Sequence, residues 1–386
     1  MILLSIMPSA PSTANNIIAG MLGILLVISV LKVRKFPHRL SNVGILLALF
    51  LCLIKYLFPM GGSDFYAYKE FVETSGYTNI STIPQYYLHY EKVYYAIINI
   101  VHNDYFLFRL VVWGGSLLLY WLTAKRLDLD KSAFAFYLGI CIVQLTAVSR
   151  VCLAYAIGFF GFSLLVKPKT RKGSNTFSFI IGAALIIASV LFHRSAIFLL
   201  VILPLSLINF NKRRGWLLAL ALPIMAVLMS TNIFDFILSY EQTEDSIFDA
   251  STASYYLESD KKRVVGIGQG IDFFFKYASH VVLIYMIVCS VFNKKYQEWP
   301  PVIRKFANAT LLINLLALAV LLAPNASTYK TFERFIGFSY VPQGFMLSYL
   351  LKIDYEKKQI NLINLLIMGY VLYNAFYYNI YQGFYV

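Results

Sequence analysis

The sequence predicts an all-α, polytopic integral membrane protein with about twelve transmembrane helices. Three observations predict it. First, 59% of the 386 residues are hydrophobic and only 13% are charged, against about 25% charged in a soluble domain. Second, the apolar residues come in runs of roughly 17–22, the length that crosses a bilayer core of about 30 Å. Backbone groups in hydrocarbon must be paired internally, so such runs are helices. Third, Lys and Arg gather in every second connection between the runs, a charge bias that orients membrane helices.

In order, the spans are expected at 16–33, 41–59, 105–124, 132–149, 151–167, 176–193, 195–210, 215–231, 271–292, 306–323, 333–351 and 360–379. One set of connections carries Lys32/Arg34/Lys35/Arg39, Lys125/Arg126/Lys131, Lys167/Lys169/Arg171/Lys172, Lys212/Arg213/Arg214, Lys294/Lys295/Arg304/Lys305 and Lys352/Lys357/Lys358. These 21 of the 33 basic residues all fall on one side of a twelve-helix count, which makes that side cytoplasmic. The whole chain, 1–386, reads as a single transmembrane domain. Its two longer external loops, about 60–104 and 232–270, hold most of the acidic residues. The first is expected to contain two short helices, Asp64–Ser75 and Glu91–Val101, too short to span.

Several function classes drop out. The net charge of +14 is accounted for by the basic connections, and no basic groove interleaved with aromatics points to nucleic acid. Cys52, Cys141, Cys152 and Cys289 all lie in apolar runs, without the paired spacing of disulfides or zinc sites. No HExxH, GxSxG, P-loop or CxxC pattern is present. Gly266, Gly268 and Gly270 neither follow a strand nor open a Rossmann helix, so they carry no nucleotide signature. The apolar stretch Ile2–Met7 is short and lacks a basic flank, so no cleaved signal is expected.

The informative residues are ionisable groups at the external helix ends, where positive charge runs against the orienting bias and a charge near hydrocarbon is costly. Asp64 follows the second span in Gly61-Gly62-Ser63-Asp64. It reads either as a helix cap or as a carboxylate at a cavity mouth. Glu91 reads as the partner of Lys92 or as a second such carboxylate. Arg150 opens the fifth span and reads as a snorkelling side chain or as a phosphate ligand, because a guanidinium fork matches phosphate oxygens. His193-Arg194-Ser195 interrupts almost continuous apolar sequence at the turn between the sixth and seventh spans. There Arg194 suits an anion, and His193 suits a base or hydrogen-bond donor. Arg334 follows Glu333 and either pairs with it or joins the same anion site. Arg109, entering the third span, faces either headgroups or a cavity. Tyr66, Tyr68 and Tyr90 stand beside the carboxylates as candidate sugar-binding residues.

This constellation resembles the EpsG/Wzy family of bacterial polysaccharide polymerases. The resemblance lies in Gly61-Gly62-Ser63-Asp64 followed by Tyr66 and Tyr68, in Tyr90-Glu91, in Arg150 with Ala154 a turn later, in Phe192-His193-Arg194-Ser195-Ala196, and in Arg334, together covering about residues 60–340. Arg334-Phe335 departs from the pattern, since the expected tyrosine comes only at Tyr340. The resemblance implies a glycosyltransferase at the outer face of a bacterial cytoplasmic membrane. It would move a growing glycan from undecaprenyl pyrophosphate to the non-reducing end of a lipid-linked repeat unit. It further implies pyrophosphate binding by Arg150, Arg194 and Arg334, a catalytic role for Asp64, Glu91 or His193, and no metal, nucleotide or other cofactor. Its partners would be the undecaprenyl-pyrophosphate-linked oligosaccharide, membrane lipid, a chain-length regulator and a flippase. An O-antigen-ligase-like or other lipid-linked glycosyltransferase, a transporter of lipid-linked oligosaccharide and a membrane acyltransferase are the competing classes.

The charge-derived topology makes a direct prediction. With the native cysteines replaced, Ser251→Cys should react with a membrane-impermeant maleimide on intact cells, and Arg213→Cys only after permeabilisation. The reverse labelling would invert the orientation.

Overall fold

The computed structural model describes residues 69–73, 92–127, 149–166, 174–193, 196–208, 285, 287–289, 295–322, 339, 341–343 and 345–346. The described elements are helical throughout, as the run lengths require. The expected spans at 16–33, 41–59, 215–231 and 360–379 lie outside the described residues, as does the span at 132–149 except for Ser149. The helices are α1 (Lys92–Ile100), α2 (Tyr105–Arg126), α3 (Ser149–Val166), α4 (Ser174–Phe192), α5 (Ile197–Ser206), the single turn α6 (Lys295–Glu298) and α7 (Pro301–Leu322). Residues 69–73 are also helical, within the segment expected at Asp64–Ser75. Among the described residues, 69–73, 95–127 and 149–152 belong to one compact unit, and 92–94 with those from Leu153 to Met346 to a second.

In the first unit, Phe71 meets Tyr95 of α1 edge-on at 5.5 Å. The chain turns from α1 into α2 through His102 and Asn103, at φ 51° and 60°, the left-handed region in which His and Asn are enriched. Asp104 then caps α2, its Oδ1 accepting from the Leu107 N–H at 2.9 Å. At 22 residues and a mean hydropathy of 1.5 over its best window, α2 is long and apolar enough to cross a membrane. Lys125 lies over the Trp121 ring at 5.0 Å near its far end, the interfacial pairing such a helix needs.

α2 is not regular. Leu110–Gly114 forms a π-helical turn. Phe108, Arg109, Val112, Trp113, Ser116, Leu117, Tyr120, Thr123 and Ala124 form the buried face of α2, and Phe106, Leu107, Leu110, Val111, Leu118 and Trp121 are exposed.

In the second unit, α4 shows the residue arrangement of a helix in lipid. Its exposed stripe is Phe177, Ile180, Ile187 and Leu191, whereas Ser178, Gly182 and Ser189 are buried. A soluble helix would place its large apolar residues inward; small residues at the helix interface and apolar ones outward fit a hydrocarbon surround. The buried hydroxyls are satisfied within their own helices: Ser189 donates to the Ile186 carbonyl at 2.6 Å, Ser206 to Ile202 at 2.6 Å and Thr310 to Phe306 at 3.0 Å.

The small residues bring α3 and α4 together. A Cβ on Gly161 would lie 2.7 Å from the Gly182 carbonyl oxygen and 2.9 Å from the Leu185 Cβ, and one on Gly182 would lie 2.7 Å from the Gly161 oxygen. Backbone meets backbone there, so only glycine fits on either side. α5 joins at Gly158, where the Leu199 side chain lies close. On α7, Phe306 packs against Phe159, Phe162 and Phe345.

At the other end of α5 the fully buried Asn308 of α7 donates to the Ser206 carbonyl at 3.0 Å and to Ile208 at 2.8 Å, covering carbonyls that the helix end leaves open. Its Oδ1 accepts from the Tyr296 hydroxyl at 2.5 Å. Arg304 donates to Gln297 at 2.7 Å and lies 5.9 Å from the Tyr296 ring centre. Sequence placed Arg304 and Lys305 in a connection; the structure starts the helix earlier, at Pro301, and puts both inside it. Proline at the first helical position has the required φ and lacks an N–H that would have had no partner.

Two glycine substitutions separate backbone from side-chain contact. Gly161→Ala should destabilise the detergent-solubilised protein by about 1–3 kcal/mol, the cost of overpacking. Gly158→Ala should cost less, because its nearest obstacle is the movable Leu199 Cδ1. Equal losses in thermal unfolding would contradict the backbone contact.

Candidate functional site

The site builds from the ends of α3 and α4. These helices run antiparallel, with Gly161 against Gly182 and Gly158 against Ser189. One further turn along each brings Ala154 level with His193, and Arg150 stands one turn beyond Ala154 on the same helix. The His193 N–H still donates to the Ser189 carbonyl at 3.2 Å, and the His193 carbonyl accepts from the Ala196 N–H at 2.9 Å. The chain therefore leaves α4 and enters α5 through one tight turn. Ala196 is buried at its end and His193 is half-buried.

Tyr94 anchors this turn from a distant part of the sequence. Its ring is fully buried and meets Phe192 edge-on, with centroids 6.2 Å apart and planes at 89°, the arrangement favoured by aromatic quadrupoles. The segment carrying Glu91 and the segment carrying His193 are thus joined one to three residues from each candidate. Sequence reasoning quoted Phe192 within the Phe192–Ala196 segment but gave it no role, and it did not propose Tyr94 as a site residue. A Tyr in a Tyr-rich loop carries no individual signal; the contact does.

His193 is the candidate whose surroundings the structure gives. Asp64, Tyr66, Tyr68, Tyr90, Glu91, Arg194 and Arg334 lie outside the described residues, as does the side chain of Arg150. Arg109 is buried, with 8% of its surface exposed and its guanidinium 5.8 Å from the Tyr105 ring centre. Among the described residues no group of three or more His, Cys, Asp or Glu gathers to hold a metal ion. An imidazole at the mouth of a helix pair can accept or donate a proton near neutrality, and guanidinium groups can hold phosphate oxygens.

A double-mutant cycle tests the anchor. Tyr94→Leu and Phe192→Leu should each destabilise the protein, and the pair should show a coupling of about 0.5–1.5 kcal/mol. Strict additivity in thermal unfolding would mean the rings do not support each other.

A family model for the EpsG family matches residues 40–385. No curated protein and no solved structure gives a significant match. The matched region takes in every candidate residue from Asp64 to Arg334. It agrees with the membrane-type α4 surface and the spanning length of α2, and with a polysaccharide-polymerase type of function. By that match over nearly its whole length, the chain belongs to the EpsG family.

Proposed function

We propose that the protein is a polysaccharide polymerase of the cytoplasmic membrane that extends glycans carried on undecaprenyl pyrophosphate. The observation that carries this reading is the family match across residues 40–385. The half-buried His193 at the turn between α4 and α5, anchored by Tyr94 against Phe192, supports it as a position for a proton-transferring group. About twelve spans, with both termini and the two long loops outside, provide the setting.

The growing glycan is transferred from its lipid pyrophosphate to a hydroxyl at the non-reducing end of a new lipid-linked unit. The bond from the anomeric carbon to the pyrophosphate breaks, a glycosidic bond forms, and the acceptor proton passes to a base. Arg150, Arg194 and Arg334 hold the pyrophosphate. Negative charge grows on that group as it leaves, so prepositioned guanidinium groups stabilise the transition state more than the ground state. Asp64, Glu91 or His193 takes the proton, a contribution of about 10²–10⁴-fold. Tyr66, Tyr68 and Tyr90 stack on and hydrogen-bond the sugars. The scheme calls for no metal or nucleotide.

Purified protein given one defined lipid-linked repeat unit should build a ladder of longer lipid-linked products. Arg194→Gln should lower turnover about 10²–10³-fold, as loss of one transition-state donor does. Arg194→Lys should recover part of that, keeping charge without the fork. Normal chain lengths from Arg194→Lys at normal protein levels would remove Arg194 from pyrophosphate binding. Transfer to a non-lipid acceptor without a ladder would make the protein a ligase, and transport without transfer would make it a carrier.

A further inference from the structure

We propose that Arg304 and Lys305, at the start of α7, hold the phosphodiester group of an anionic phospholipid in the cytoplasmic leaflet; this does not rest on the polymerase reading. They are the fourth and fifth residues of α7, and from Phe306 to the end of the helix no charged residue follows. The pair therefore stands where a headgroup layer meets hydrocarbon. On the orientation expected from the basic connections, that layer is the cytoplasmic one. Both residues are half-buried, and among the described residues no carboxylate pairs with either. The first turn of α7 holds no acid, so the positive end of the helix dipole adds to the two cations. Orienting a chain asks only for charge in a connection. It does not ask for charges drawn partly out of water with nothing to offset them, which is costly.

The guanidinium is also held in place. Arg304 Nη1 donates to the Gln297 Oε1 at 2.7 Å, in an exposed hydrogen bond. The Tyr296 ring centre lies 5.9 Å from the central carbon, and Tyr296 is itself fixed by its hydrogen bond to Asn308 and by Trp299, 5.6 Å away between ring centroids. Nε is buried and has no hydrogen-bond partner, so the group turns its charge outward through the terminal nitrogens, on the side open at Gln297. A guanidinium held this way has already lost much of its rotamer freedom, and its fork matches two phosphate oxygens. Lys305 adds a point charge one residue on. The half-buried stems and the Tyr296–Trp299 pair give the site an apolar flank at headgroup level, which a lipid uses and a free anion does not. Basic pockets beside spanning helices on the cytoplasmic side take anionic headgroups.

The test titrates detergent-purified full-length protein with phosphatidylglycerol, with phosphatidylcholine of the same chains and, as a separate arm, with inorganic phosphate. Binding is read as thermal stabilisation, which does not depend on turnover. Phosphatidylglycerol should stabilise the wild type at concentrations where phosphatidylcholine and inorganic phosphate do not. Arg304→Gln should raise the phosphatidylglycerol concentration needed about tenfold or more, the loss of a charge-assisted contact, and Arg304→Lys should fall between. Lys305→Gln should weaken the response in the same direction. It leaves the Arg304–Gln297 bond in place, so it keeps the test decisive if the Arg304 variants fold poorly. Lys125→Gln, which removes an exposed lysine lying over Trp121, should respond as the wild type does. The inference is overturned if phosphatidylglycerol stabilises no more than phosphatidylcholine, if Arg304→Gln or Lys305→Gln responds as the wild type, or if Lys125→Gln weakens in parallel, which would mean unspecific attraction. Equal stabilisation by inorganic phosphate would also overturn it, since the site would then take a free anion.

Discussion

Gly161 and Gly182 meet backbone to backbone, and the arrangement of the second unit follows from that approach. Two helices without side chains at their crossing gain van der Waals contact along their whole interface, the main source of helix association where lipid removes the hydrophobic difference. The contact also fixes register, because a one-residue slide would put a side chain where only hydrogen fits. Register in turn decides which residues come level at the helix ends. Ala154 comes level with His193.

The two ends of this unit are built differently. At the His193 end the chain reverses in one tight turn, held by Ala196 and by the edge of Tyr94 against Phe192. At the other end a polar clasp joins α5, α6 and α7. Asn308 uses both amide hydrogens and its carbonyl oxygen there, an arrangement in which a buried amide is fully satisfied.

Much of the helical framework was legible because hydrocarbon imposes a simple rule on run length. The expected 105–124, 151–167 and 176–193 fall within two residues of α2, α3 and α4. Where reading failed, a local signal had been outweighed. Pro300-Pro301 followed by Arg304 and Lys305 looked like a charged connection, yet proline at a first helical turn starts α7 earlier. The π turn in α2 was not legible, since nothing in Leu-Val-Val-Trp-Gly distinguishes it from regular helix. The inward direction of Arg109 was not legible either, because both the headgroup and the interior lie within its reach. Of the candidate site, the sequence picked out His193 by its contrast with apolar neighbours. It could not show that Tyr94 reaches Phe192, a contact between residues nearly a hundred positions apart.

Together, a register fixed by glycine, a turn anchored by two aromatic rings and a family defined over nearly the whole chain describe a helical scaffold that carries His193 at one end of α4. The central claim is that this end receives the lipid pyrophosphate. Electron cryo-microscopy of the full-length protein with undecaprenyl pyrophosphate tests it most directly. The account predicts diphosphate density beside His193. Density at the opposite end instead, beside Tyr296, Arg304 and Asn308, would contradict it.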